Sequence, residues 1–84
     1  MSTEEPRQST VVKRSVVVAG QKTSISIEDA FWSELKNLAR RQNRTVSDLV
    51  HSINSARGEG ANLSSAVRVY ILDQLRSRVE GGEL

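Results

Sequence analysis

Between residues 22 and 27 the chain alternates, with Thr23, Ile25 and Ile27 on one parity and Lys22, Ser24 and Ser26 on the other. Side chains of an extended strand point to opposite faces with a period of two, so one set can be buried while the other is displayed. Upstream, residues 11–19 (VVKRSVVVA) are rich in β-branched side chains and predict a strand or an extended arm that ends at Gly20. Gly20 and Gln21 match a two-residue hairpin turn with glycine first, which would fold residues 16–19 back on the second run; one long kinked strand is the alternative. A short strand cannot satisfy its backbone hydrogen bonds alone. Residues 22–27 therefore call for a second copy of themselves.

After the strand the period changes. Phe31, Leu35, Leu38 and Ala39 form a helical stripe with Trp32 beside it, predicting a first helix capped by Glu28 or Asp29 and running to about Gln42. Asn43 takes the left-handed position past its end, where asparagine follows glycine in preference. Thr45, Val46, Ser47 and Asp48 fit a capping box, and Val46, Leu49, Val50, Ile53 and Ala56 carry a second helix to about Arg57. Gly58 and Gly60 mark a flexible break. Asn62 can cap a third helix in which Leu63, Val67, Ile71 and Leu75 make the stripe, flanked by Ala66 and Tyr70 and fading by Arg78. Residues 1–10 are polar and without period, so they and residues 80–84 are expected to be tails around one domain, 11–79.

With 84 residues and no cysteine, the chain fits a single small cytoplasmic domain that has little core to spare and gains from oligomerisation. No apolar run approaches the roughly 18 to 20 residues of a membrane span, and no signal-peptide pattern opens the sequence. The net charge is only +2, but residues 7–44 hold eight basic and three acidic side chains, whereas residues 45–84 hold four and five. The basic half contains the alternating strand. That excess fits a surface facing a polyanion, although Lys36, Arg40 and Arg44 also read as a solvated helix face.

Catalysis finds no support. There is no Cys/His pair, no glycine-rich phosphate loop and no acidic pair around a plausible pocket, and His51 has no second histidine to share a metal with. The expectation is a non-enzyme without metal or cofactor. Trp32 sits among apolar helix residues and reads as core or dimer interface rather than a base-stacking platform.

Strand, helix, short turn and capped second helix, in that order over residues 22–53, resemble the ribbon-helix-helix family of β-ribbon DNA readers, the Arc and MetJ class. The resemblance rests on Thr23, Ile25 and Ile27, on Phe31, Leu35, Leu38 and Ala39, and on the run from Asn43 through Val50, which looks like the family's Gly-x-Ser/Thr turn. Asn43 stands where the family usually has glycine. The whole chain is also similar to small stand-alone bacterial members with an extra N-terminal strand and a third helix containing Leu-Ser-Ser-Ala, here Leu63, Ser64, Ser65 and Ala66.

The resemblance implies a mainly α fold with a short β-ribbon, an intertwined homodimeric ribbon-helix-helix plus a C-terminal third helix. Ile25, Ile27, Phe31, Leu35, Leu38, Val46, Leu49, Val50 and Ile53 would form the dimer core. The function implied is DNA binding, as in a transcriptional regulator, with an antiparallel ribbon in the major groove. Lys22, Ser24 and Ser26 would meet base edges, and the backbone at Thr45, Val46 and Ser47, with Arg44, would hold phosphate. Lysine can donate to guanine, serine can donate or accept, and a helix start favours anions.

The upstream run threatens this picture. If residues 16–19 pair with residues 24–27 in each chain, the dimer carries four strands at about 4.8 Å each, too broad for a groove of about 12 Å. That run could instead be an arm laying Lys13 and Arg14 along the phosphates, or a segment that orders only off DNA. Otherwise the same dimer would serve as an antitoxin-type or adaptor module, holding a protein partner through its sheet or its third helix.

Overall fold

The computed structural model describes residues 10–58, 60 and 62–80, so residues 1–9 and 81–84, where the two tails were expected, lie outside it. It contains strands β1 (Val11–Val18) and β2 (Gln21–Glu28), then helices α1 (Asp29–Arg41), α2 (Val46–Ala56) and α3 (Leu63–Glu80). β1 and β2 form a two-stranded antiparallel sheet. Of the two sequence alternatives, the hairpin is the one observed.

The turn falls one residue earlier than expected. Val18 pairs with Gln21, which leaves Ala19 and Gly20 as the loop, at φ of +53° and +80°. Two positive φ values in succession define the mirror-image turn whose twist suits a hairpin, and glycine second is its usual signature. Alanine first is not. Its Cβ crowds the left-handed region, so the sequence lacked the asparagine or aspartate that would have marked the turn. Residues 16–18 accordingly face residues 21–23, not 24–27. β2 therefore has a strand partner in its own chain, and its backbone does not depend on a second copy for that edge.

α1 ends where Asn43 adopts φ +56°. The Arg44 N–H donates to the Ala39 carbonyl (2.9 Å) and the Asn43 N–H to that of Arg40 (3.1 Å), the paired bonds of a Schellman ending. At the next helix the Thr45 hydroxyl accepts from the Asp48 N–H at 3.0 Å, and before α3 the Asn62 side chain accepts from the Ser65 N–H at 3.2 Å. Side chains thus satisfy amide donors that a helix start leaves free.

The core closes within one chain. Val16, Val18, Ile25 and Ile27 from the sheet meet Leu35, Leu38 and Ala39 of α1, Leu49, Val50 and Ile53 of α2, and Val67 and Ile71 of α3, all buried. Seven of the residues expected at a dimer interface are in that set, and Phe31 and Val46 pack partly buried against it. The expected α3 stripe ends at Ile71, because Leu75 is 38% exposed. α3 has a second apolar side: Val69, Leu72 and Val79 stand at 56%, 49% and 54% exposure. No helix among the described residues is long and apolar enough to cross a membrane.

Candidate nucleic-acid interface

Residues directly opposed in an antiparallel pair share a face of the sheet. Lys13 lies opposite Ser26, Ser15 opposite Ser24 and Val17 opposite Lys22, so these six residues form one face of the hairpin. It is the outer face, and all six are exposed except Ser26, which is half-buried. The inner face carries Val16, Val18, Ile25 and Ile27, with Arg14 and Thr23 half-buried among them.

Lys13 and Arg14, expected together along phosphates, are therefore split between the faces. Arg14 lies over the Trp32 ring at 5.0 Å, and its guanidinium is ion-paired to Asp29. Lys36 approaches the same ring at 5.9 Å, and Trp32 packs partly buried against the core. Arg44 is also engaged within the chain, donating to Gln42 Oε1 (3.2 Å), to the Asp48 carbonyl (3.0 Å) and to the Ser52 hydroxyl.

The start of α2 comes down beside the turn end of the hairpin. Ser15, Val17, Lys22, Trp32, Val46 and Ser47 line one shallow hollow of about 340 Å³ there. Lys22, expected to meet bases, and Val46 and Ser47, expected to hold phosphate, thus share a single surface. A capped helix start presents free N–H groups and the positive end of the helix dipole, which suit a phosphate oxygen.

α3 closes the other edge of β2. The Ser26 N–H donates to Ser64 Oγ at 2.9 Å, and Arg68 Nη2 donates to the Ser26 carbonyl at 3.1 Å. Arg68 Nε also donates to Glu28 Oε1 at 3.1 Å, with the guanidinium 5.8 Å from the Phe31 ring centre. Bonds from its own backbone amide and from Arg68 hold the Glu28 carboxyl below its ordinary range. Residues some forty positions apart meet here, so periodicity could not point to the contact. The local signal was the Leu-Ser-Ser-Ala start of the third helix.

A strand, here β2, leading into a helix, a left-handed turn and a side-chain-capped second helix follows the order of a ribbon-helix-helix module. The chain belongs to the ribbon-helix-helix domain family, whose model matches residues 11–75, from the first strand into the third helix. That is a DNA-binding family whose members are typically not enzymes. A solved structure of an uncharacterised protein from Bordetella pertussis Tohama I is 33% identical and superposes with a TM-score of 0.75. The match covers 89% of this chain and 63% of that one, so the present chain spans less than two thirds of that relative's length. No curated protein matches the sequence.

Proposed function

We propose that this chain is a homodimeric DNA-binding protein that regulates transcription by setting the outer face of its β-ribbon in the major groove. The observation that carries the reading is the surface shared by Lys22, Ser15 and the start of α2. A lysine and a hydroxyl stand exposed beside a capped helix N-terminus. Side chains reading base edges beside backbone amides on phosphate make up the division of labour by which proteins recognise duplex DNA. Membership in a DNA-binding family supports it. Dimerisation is supported by the exposed row of Val69, Leu72 and Val79 on α3, which a second copy would cover.

The same row favours a second reading, an antitoxin-type or adaptor module whose α3 holds a different protein. Two measurements separate them. Affinity for duplex DNA, titrated with salt, falls steeply if several phosphates are contacted per dimer, because each contact releases condensed counterions. Lys22→Ala and Ser26→Ala each lower preference for the selected site by about 1–3 kcal/mol. A protein that retains no duplex at low salt, or whose site choice survives both substitutions, is not reading DNA with this face.

A further inference from the structure

α3 is apolar on two sides. At about 100° of helix per residue, Val67 and Ile71 fall on the side buried in the core, while Val69, Leu72, Leu75 and Val79 fall opposite and stand exposed. These four span about 15 Å of helix axis. Single apolar side chains on a surface need no explanation, but four on adjacent turns of one face form a patch, and covering such a patch removes apolar surface from water.

The charges around the row indicate what covers it. Asp73 and Arg76 are exposed and, among the described residues, hold no hydrogen bond or ion pair within the chain. On the helical wheel both lie to the same side of the line through Leu72 and Val79, with Leu75 on the other side. Two copies of a helix that meet about a two-fold axis make a self-complementary contact, residue i on j and j on i. In an antiparallel pair like flanks face each other, so Asp73 of each copy meets Arg76 of the other. In a parallel pair that flank would instead face the Leu75 side, where Arg68 is already held by Glu28 and the Ser26 carbonyl. Opposite charges beside an apolar seam fix the orientation of paired helices. The register that joins 73 to 76 also sets Val69 of one copy level with Val79 of the other, to within about one residue's rise of 1.5 Å, and places Leu72 and Leu75 at the crossing. Charged and apolar groups thus agree on one register.

We propose that α3 pairs antiparallel with α3 of a second copy of this chain, burying Val69, Leu72, Leu75 and Val79 and joining Asp73 to Arg76 reciprocally across the two-fold axis. This contact rests on the self-association proposed above and locates one surface through which copies meet. It uses the side of α3 turned away from the core, involves neither the strands nor the start of α2, and adds to any contact those elements make between copies. A different protein on the same row would give Asp73 and Arg76 no cause to match each other.

The solution mass of the full-length chain, measured by sedimentation over a range of concentrations, tests the contact without DNA. Leu72→Lys puts a charge at the crossing and should halve the mass while circular dichroism stays native, because the residue is exposed in the single chain. Asp73→Arg and Arg76→Glu each set like charges against one another twice, and each alone should weaken association about tenfold or more. Mixed in equal amounts, the two variants bring a wholly basic flank against a wholly acidic one, and association should return. Neither a charge pair within one chain nor a contact with another protein can produce that recovery. A wild-type mass of one chain overturns both the α3 contact and the homodimer. A larger mass that Leu72→Lys leaves unmoved overturns the α3 contact and leaves the homodimer standing, and single reversals without recovery on mixing overturn the antiparallel register.

Discussion

The two faces of the hairpin come from the same two strands yet do opposite work. On the inner face Ile25 and Ile27 are 1% and 0% exposed and Val16 and Val18 are 6% exposed, packed against all three helices. On the outer face Lys13, Ser15, Lys22 and Ser24 stand in solvent and carry hydrogen-bonding groups. Because the period of a strand is two, neighbouring residues belong to different tasks. Packed and displayed positions are therefore interleaved residue by residue, so stability and the proposed recognition should come apart under substitution.

The largest expected effect is on the inner face. Ile27→Ala removes a fully buried side chain and leaves a cavity between sheet and helices, costing about 2–5 kcal/mol of unfolding free energy. Ser24→Ala, three positions away on the exposed face, should change it by no more than about 0.5 kcal/mol. Denaturant unfolding of both variants measures the contrast. Comparable losses from the two would mean that the outer face is also packed against something, and the division of labour would fail.

How far the sequence could be read follows the same line between local and distant causes. The two helix caps at Thr45 and Asn62, the left-handed Asn43 and the inner parity of Ile25 and Ile27 were readable because each depends on residues within a turn or two. The hairpin was visible as one of two options, and its turn was misplaced because Ala19 occupies a conformation that alanine seldom adopts. That error slid the strand partners by two positions but kept the faces, since two-residue loops at either place preserve parity. Closure of the core by α3 and of the β2 edge by Ser64 and Arg68 depends on contacts far apart in the chain. The apparent need for a second strand came from judging β2 without them.

The turn offers a smaller and cleaner test of the register on which the face comparison rests. Ala19→Asn places a residue tolerant of positive φ in a left-handed position followed by Gly20, and should stabilise the fold by about 1 kcal/mol. The outer face is untouched, so DNA site preference should not move. Chemical denaturation and site selection on this one variant sharpen the comparison from the stability side. Destabilisation would show that the loop is not at residues 19 and 20 and that the opposed pairs are wrong.

The mildest effect is expected where the two faces end, at Glu28. Its carboxyl is held below its ordinary range by its own backbone amide and by Arg68, so the folded state binds a proton less readily than the unfolded chain does. A depressed carboxylate pKa contributes stability above the unfolded value, and that contribution is lost as pH falls through the folded value. The window is acidic, beginning near the ordinary value of 4.5 and extending below it. Glu28→Gln should therefore flatten this part of the stability profile without altering the profile at neutral pH and above, where both forms keep a constant charge. Arg68 also donates to the Ser26 carbonyl, so Glu28 and the β2 edge share one guanidinium. If Glu28→Gln and wild type lose stability in parallel down the acid limb, the Glu28 carboxyl is not held by its backbone amide and Arg68 in the folded state.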